Sequence, residues 1–193
     1  MEIQYENIVL RDMIETDIED YVRWFTQETA WSEYDAPWEA IETDEAEERQ
    51  SWREYYESVK QLPDDLFRWK FEIEYEGRHI GWVSAYSIDE NYQWISAKNI
   101  KDGQTIYHAV GIDICESNIW GSGIGTNALR AFLEYCAEHG WDELYTQTWS
   151  GNGRMIRVAK KLGFVEWSRA VGTREVDGAR YDGLTFKWEK KIR

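Results

Sequence analysis

Cysteine, histidine and positive charge are all scarce in this chain. Of its 193 residues two are cysteines, Cys115 and Cys136, and three are histidines, His79, His108 and His139. The cysteines form no Cys-x-x-Cys pair and the histidines are scattered, so the spacing of a zinc site is missing and no metal is expected. The two thiols read as core filler in a reducing compartment. Lysine and arginine number 22 against 37 aspartates and glutamates, a net charge of −15. That balance excludes the basic surface that nucleic acid phosphates demand. It suits a cationic partner, or plain solubility. No apolar run is long enough to span a bilayer. Met1 to Glu6 has neither the basic start nor the apolar stretch of a secretory signal. The expectations are a cytoplasmic protein and no membrane partner.

What the chain has is aromatic rings, with twelve tryptophans and twelve tyrosines, in a composition that is 42% hydrophobic and 31% charged. Those fractions describe a globular protein, and the length suits one domain over residues 1–193. Many of the rings must be core; the surplus hints at aromatic walls around a ligand.

Hydrophobic spacing sets the order of elements. Ile3 to Leu10 reads as a first strand. Thr16 and Glu19 have the spacing of a capping box, followed by Ile18, Tyr21, Val22 and Phe25 on one helical face. A second helix is expected from Thr43 or Asp44, buried along Trp52, Tyr55, Tyr56 and Val59. Trp69–Tyr75 and His79–Tyr86 flank a Glu76-Gly77-Arg78 turn as a hairpin. Thr105–Ile114 is a strand apolar on both faces. A helix through Ala128, Leu129, Phe132, Leu133 and Cys136 ends at Gly140. A strand at Leu144–Trp149 and a short helix, Arg154–Leu162, follow. Strands Phe164–Val171 and Tyr181–Trp188 close the chain around Asp177-Gly178. Strands and helices mixed in this order predict an α/β domain with a mixed sheet and helices on each face.

The sharpest local feature is Trp120-Gly121-Ser122-Gly123-Ile124-Gly125-Thr126, between a strand and a helix. Alternating glycines leave backbone N–H groups unobstructed, and the helix adds its unpaired first-turn donors and positive dipole end. Such a turn holds a pyrophosphate without lysine or arginine. A P-loop would need a lysine between Gly125 and Thr126. A dinucleotide fold would need glycine in the place of Thr126. A coenzyme A site is the third user of this device.

The run Val110–Ile114, the turn Trp120–Thr126, Asn152, and Arg157-Val158-Ala159-Lys160-Lys161-Leu162-Gly163-Phe164 together resemble the GNAT acetyltransferase family. The resemblance is closest to the branch that includes the ribosomal-protein N-terminal acetyltransferases. It implies a mostly antiparallel central sheet with a splayed pair of strands that admits acetyl-CoA, the expected cofactor. Gly111, Ile112 and Asp113 are then expected to pair with pantetheine through their backbone. The stretch Trp120, Gly121, Ser122, Gly123, Ile124, Gly125 and Thr126 is expected to hold the pyrophosphate. Asn152 and Lys160 are the remaining cofactor candidates. The implied reaction is direct transfer of acetyl to a primary amine, either a small cationic amine or a peptide N-terminus. The alternative is an acyl-CoA-binding sensor with little turnover. A homodimer is among the partners left open.

The chain departs from the family at three catalytic positions. It has Ala159 where many relatives have a tyrosine acid, Met155 where some have serine, and Gln147 where one subgroup has a glutamate base. The remaining acid or base candidates are His108 and Asp113 on opposite faces of one strand, Glu116 just after it, and Tyr181. Ordered positioning of the amine ranks above any one of them. For the acceptor, Trp31, Tyr34, Trp38 and Glu39 combine rings with a carboxylate, as a cation requires, and Asp182 joins them near the last strand.

Overall fold

A computed structural model describes residues 1–39 and 43–189. Eight strands form one sheet in the order β1-β2-β3-β4-β5-β6-β8-β7. Among the described residues five α-helices accompany them: α1 (Asp17–Thr26), α2 (Ser32–Asp35), α3 (Glu45–Val59), α4 (Ile124–Glu138) and α5 (Gly153–Lys161). β5 and β6 run parallel, whereas β1–β2, β2–β3, β6–β8 and β7–β8 are antiparallel. This is the mixed, mostly antiparallel α/β architecture expected from the sequence. By its internal contacts the chain divides into two compact units, Met1–Val83 with Ile112–Ala131, and Ser84–Gly111 with Phe132–Arg193. None of the described helices is long and apolar enough to cross a membrane.

In the first unit, the strand expected over 3–10 is two strands, β1 (Glu2–Tyr5) and β2 (Ile8–Arg11), paired as a hairpin. Glu6 takes a left-handed φ of 48°, and that reverses the chain inside an apparently continuous pattern. The hairpin β3 (Lys70–Tyr75) to β4 (Arg78–Asp89) turns through Glu76 and Gly77, both left-handed, as a tight turn requires. The capping box does not form: Thr16 is helical and makes no side-chain cap bond. The neighbouring Asp17 instead accepts the Ile14 amide at 2.8 Å. Helix α3 is capped by Asp44, whose carboxylate accepts from Ala46 and Glu47, and its first turn carries Glu45, Glu47 and Glu48 at the positive dipole end. The buried face of α1 (Ile18, Tyr21, Val22, Trp24) packs with Met13, Trp31, Val59, Trp82 and Cys115, and Tyr21 stacks on Trp52 of α3 at 3.6 Å.

In the second unit, β6 (Leu144–Trp149), β8 (Ala179–Trp188) and β7 (Phe164–Val176) are neighbours in that order. The last two strands run longer than expected because Asp177 and Gly178 are both left-handed and carry the ladder to Val176–Ala179. Asn152 caps α5 by accepting the Met155 amide at 2.9 Å. Ile88, Ala109 and Tyr145 form a core cluster with Tyr86, Tyr92 and Tyr107 around it. Among the described residues, the β5 (Ile106–Ile114) to β6 register covers only His108–Leu144 and Ala109–Tyr145. Past it, the Val110 carbonyl accepts from the Thr146 hydroxyl at 2.7 Å. Both cysteines are buried free thiols, as expected, and burial raises both, Cys136 to about 12.

Candidate functional site

The glycine turn has the geometry its sequence suggested, with a separate task for each glycine. Gly121 and Gly123 have φ of 83° and 95°, and a Cβ on either would point into open space. They are glycine because of backbone angle, and the surface they leave is bare main chain. Gly125 is not left-handed; a Cβ there would lie 3.5 Å from Ile114 and 3.7 Å from Ile112, in ordinary contact with β5. The amides of Thr126 and Asn127 turn back to the Gly123 carbonyl at 3.0 and 3.1 Å. Those of Ile124 and Gly125 head α4, where no helical carbonyl precedes them. Ser122 donates its hydroxyl to the Ile119 carbonyl at 2.6 Å. Trp120 donates its indole N–H to the Ile114 carbonyl at 2.7 Å and meets Tyr34 edge-on, bracing the turn against the end of β5.

The acid–base candidates fall in different surroundings. His108 stacks on Trp141 at 4.0 Å, and burial holds its imidazole below the usual range, so it is neutral at pH 7. Glu116 accepts from Arg23 at 2.7 Å and from the Trp24 indole at 3.1 Å. Tyr181 packs edge-on against Trp149. Asp182 is held low by the Gly172 amide and by Arg169 and ties the closing hairpin together. Gly111 lies beside the Tyr86 ring, and Lys160 is exposed on α5. At the departed positions, Ala159 is fully buried, and the Gln147 amide donates to the Tyr92 carbonyl and the Thr185 hydroxyl.

Asp113 stands apart from the other three. Burial raises its carboxyl well above the usual range, and the charge of Asp35 raises it further; Lys70 and a hydrogen bond from Trp82 offset part of this. Asp35 is itself raised, by burial and then by Glu39. Of the acceptor candidates, Glu39 thus joins a group of carboxylates that includes Asp113. Trp31 is only 7% exposed and donates to the Trp24 carbonyl as part of the core. Trp38 is half-buried.

Sequence reasoning missed the centre of this region, Lys70. Its ammonium lies 4.4 Å from the ring centres of Tyr21 and Trp52, 4.9 Å from Trp82 and 5.1 Å from Tyr55, with Glu72 at 3.7 Å. Four rings around one cation form a cation–π cage. Burial lowers the Lys70 ammonium, partly against the charges of Glu72 and Asp113. Burial pushes Glu72 up, but Lys70, His79 and Tyr21 win and hold it low. The available signal was a charged residue, Glu72, between Phe71 and Ile73 in the middle of a strand.

Behind the cage the polar network continues. His79 Nε2 is 3.1 Å from Glu72, and its Nδ1 faces Asp20 and Asp17. Burial lowers the imidazole, yet the nearby carboxylates of Asp20, Glu72 and Asp17 prevail and raise it to about 9. Arg11 grips both oxygens of Asp17 at 2.6 and 2.8 Å. A cleft of about 350 Å³ opens beside this group, lined by Arg11, Asp17, Asp20, Glu74, His79 and Glu116 among others.

The sequence profile of the acetyltransferase (GNAT) domain matches residues 7–165, and the chain belongs to that family. It is an acetyltransferase with acetyl-CoA as its cofactor. Solved structures agree in fold. RimL, a ribosomal L7/L12 alpha-N-protein acetyltransferase in complex with coenzyme A, is 16% identical with a TM-score of 0.70, over 97% of each chain. The ribosomal-protein-S5-alanine acetyltransferase of Vibrio fischeri is 18% identical with a TM-score of 0.70, over 99% of this chain and 97% of its own. The microcin C7 self-immunity acetyltransferase MccE, in complex with acetyl-CoA and AMP, is 16% identical with a TM-score of 0.65, over 94% and 92%.

Proposed function

We propose that the chain transfers acetyl from acetyl-CoA to a primary amine, a small cationic amine or a peptide N-terminus, by direct attack. The observation that carries this reading is the turn 121–126. Two left-handed glycines face open space at the head of α4, where amides and the helix dipole converge on an anion. The pyrophosphate rests there, and the backbone of Ile112 and Asp113 extends toward the pantetheine arm. Two of the solved neighbours act on ribosomal proteins by name, which favours a peptide N-terminus. The acidic group of Asp35, Glu39 and Asp113 favours a cationic acceptor. An α-amine has a pKa of about 7.7–8.0, so at neutral pH it needs little help to lose its proton. Asp113, raised above the usual carboxylate range, is the group best suited to exchange a proton with it. The isoelectric balance of the β7–β8 hairpin, four acidic against four basic residues within 164–188 of a strongly acidic chain, is compatible with a homodimer.

Thiol release from acetyl-CoA, measured against a panel of peptides and small amines, tests the reaction. Calorimetry with acetyl-CoA on the Gly123→Glu variant tests the site. Affinity unchanged by a glutamate at 123 rejects the placement. Wild-type binding without thiol release on any amine favours the sensor reading instead, and better turnover on neutral hydroxyl acceptors rejects the cationic substrate.

A further inference from the structure

We propose that Asp17, Asp20 and His79 form a binding site for one divalent transition-metal ion of the zinc type. Asp17 and Asp20 share the first turn of α1 and His79 lies some sixty residues on, at the start of β4, yet one ligand atom from each comes within 4.8 Å of the others. The His79 side chain is only 2% exposed, and its Nδ1 makes no hydrogen bond. That nitrogen lies 3.3 Å from Asp20 Oδ2 and 3.5 Å from Asp17 Oδ1. Both separations lie beyond the usual N–H···O range of about 2.7–3.2 Å. They match the spacing of two ligand atoms around one tetrahedral zinc: bonds of about 2.0–2.2 Å at tetrahedral angles put the ligands about 3.4 Å apart.

The surroundings are arranged as an outer shell for such an ion. A metal-bound histidine almost always gives its other ring N–H to a carboxylate. Here Nε2 points to Glu72 Oε2 at 3.1 Å, and the same oxygen accepts the Tyr21 hydroxyl at 2.5 Å. Carboxylate ligands are in turn hydrogen-bonded. Arg23 holds Asp20 by Oδ1 at 2.9 Å, leaving Oδ2 turned to His79. Arg11 holds both oxygens of Asp17, and Lys70 approaches the far oxygen of Glu72. The ion has a route in, because all three ligands line the cleft of about 350 Å³, and the cleft side leaves a fourth position for water. One imidazole nitrogen with two carboxylates suits zinc, whereas magnesium prefers an octahedron of oxygens and keeps its waters. Arg11 competes for Asp17, so the ion is held reversibly. It clamps the first turn of α1 to the start of β4.

The test uses whole protein stripped with a chelator and then freed of it, titrated with Zn²⁺ in a calorimeter, with Mg²⁺ in a parallel run. The expected result is one saturable equivalent of zinc, much weaker magnesium, and a loss of zinc affinity of at least roughly tenfold in both Asp20→Asn and His79→Gln. His139→Gln, at an exposed histidine, leaves it unchanged. Asp20 is half-exposed, so its variant stays folded if the buried His79 variant does not. Nitrogen NMR of the His79 ring gives a second readout: zinc displaces any proton on Nδ1 and leaves the one on Nε2. The site is rejected if the wild type takes up no saturable zinc, if Asp20→Asn binds as well as wild type, if magnesium binds as tightly, or if Nδ1 keeps its proton at saturating zinc.

Discussion

Two alanine substitutions two residues apart should have opposite effects. Gly123 sits at φ 95° with nothing near its missing Cβ, so Gly123→Ala meets no neighbour and pays only for backbone angle. That cost is about 1–2 kcal/mol. Gly125 heads α4 outside the left-handed region, and its Cβ would make ordinary contact with Ile114 and Ile112. Gly125→Ala therefore removes unfolded-state entropy without a clash, a gain of about 0.4–1 kcal/mol. The two variants should differ by roughly 1.4–3 kcal/mol in urea unfolding at constant m-value. In thermal melts that difference is roughly 3–12 °C, at about 2–4 °C per kcal/mol for a chain of this size. Acetyl-CoA should separate them again. A methyl at 123 projects where the pyrophosphate is proposed to rest and lowers affinity, whereas a methyl at 125 points to β5 and leaves affinity intact. Equal stability of the two variants would refute the assignment of backbone strain to Gly123. Weaker acetyl-CoA binding in Gly125→Ala alone would refute the assignment of the open face.

Three further outcomes are expected. Lys70→Met leaves Glu72 buried without its ammonium and should cost about 3 kcal/mol, since breaking a buried pair from one side typically costs about 3–5 kcal/mol and Tyr21 and His79 still serve the carboxylate; a loss below about 1 kcal/mol in urea unfolding would show the cage to be idle. In metal-free protein the buried His79 and the half-buried His108 should shift in opposite directions by NMR, His79 titrating near pH 9 and His108 below its ordinary value. By linkage, the contribution of His79 is complete below about pH 6.5 and fades as pH rises through 9, whereas that of His108 is present above about 6.5 and fades as pH falls, so a reversed order contradicts both. Finally, single alanine variants of His108, Glu116 and Asp113, and Tyr181→Phe, should each keep turnover within roughly a hundredfold, because positioning carries most of the rate; a larger loss at Asp113 with acetyl-CoA affinity intact would make it a dedicated acid or base.

The order of elements was legible because period and punctuation agree along most of the chain. The Glu76-Gly77 and Asp177-Gly178 turns, the Asp44 cap and the glycine turn all formed as their residue types require. Two local readings failed for local reasons. Glu6 bent a run that looked like one strand, and Asp17 was drawn into the Arg11 pair and the Ile14 amide next to a Thr16 that caps nothing. The polar interior was not legible. Lys70, Glu72 and His79 are separated from Asp17, Asp20 and Asp113 by long stretches of chain, and only the neighbouring of β3, β4 and β5 in the sheet and the packing of α1 bring them together. Aromatic richness was visible, but which rings form core and which surround a charge depends on neighbours from other elements. Trp31, expected beside an acceptor, proved to be core, while Trp52 and Tyr55, expected as plain core, face an ammonium.

The rings around Lys70 do for its ammonium what water does for an exposed one: they solvate it. A solvent made of fixed aromatic faces does not exchange with the medium and admits no counterions. Dissolved salt shields the exposed acidic surface of the chain within about 8–10 Å at ordinary ionic strength, but it reaches a caged charge far less. The electric field that Lys70 sets up at Asp113 is therefore internal and nearly constant. As ionic strength rises, long-range attraction of a cationic substrate should weaken, while the share of the Asp113 protonation balance that Lys70 supplies stays in place.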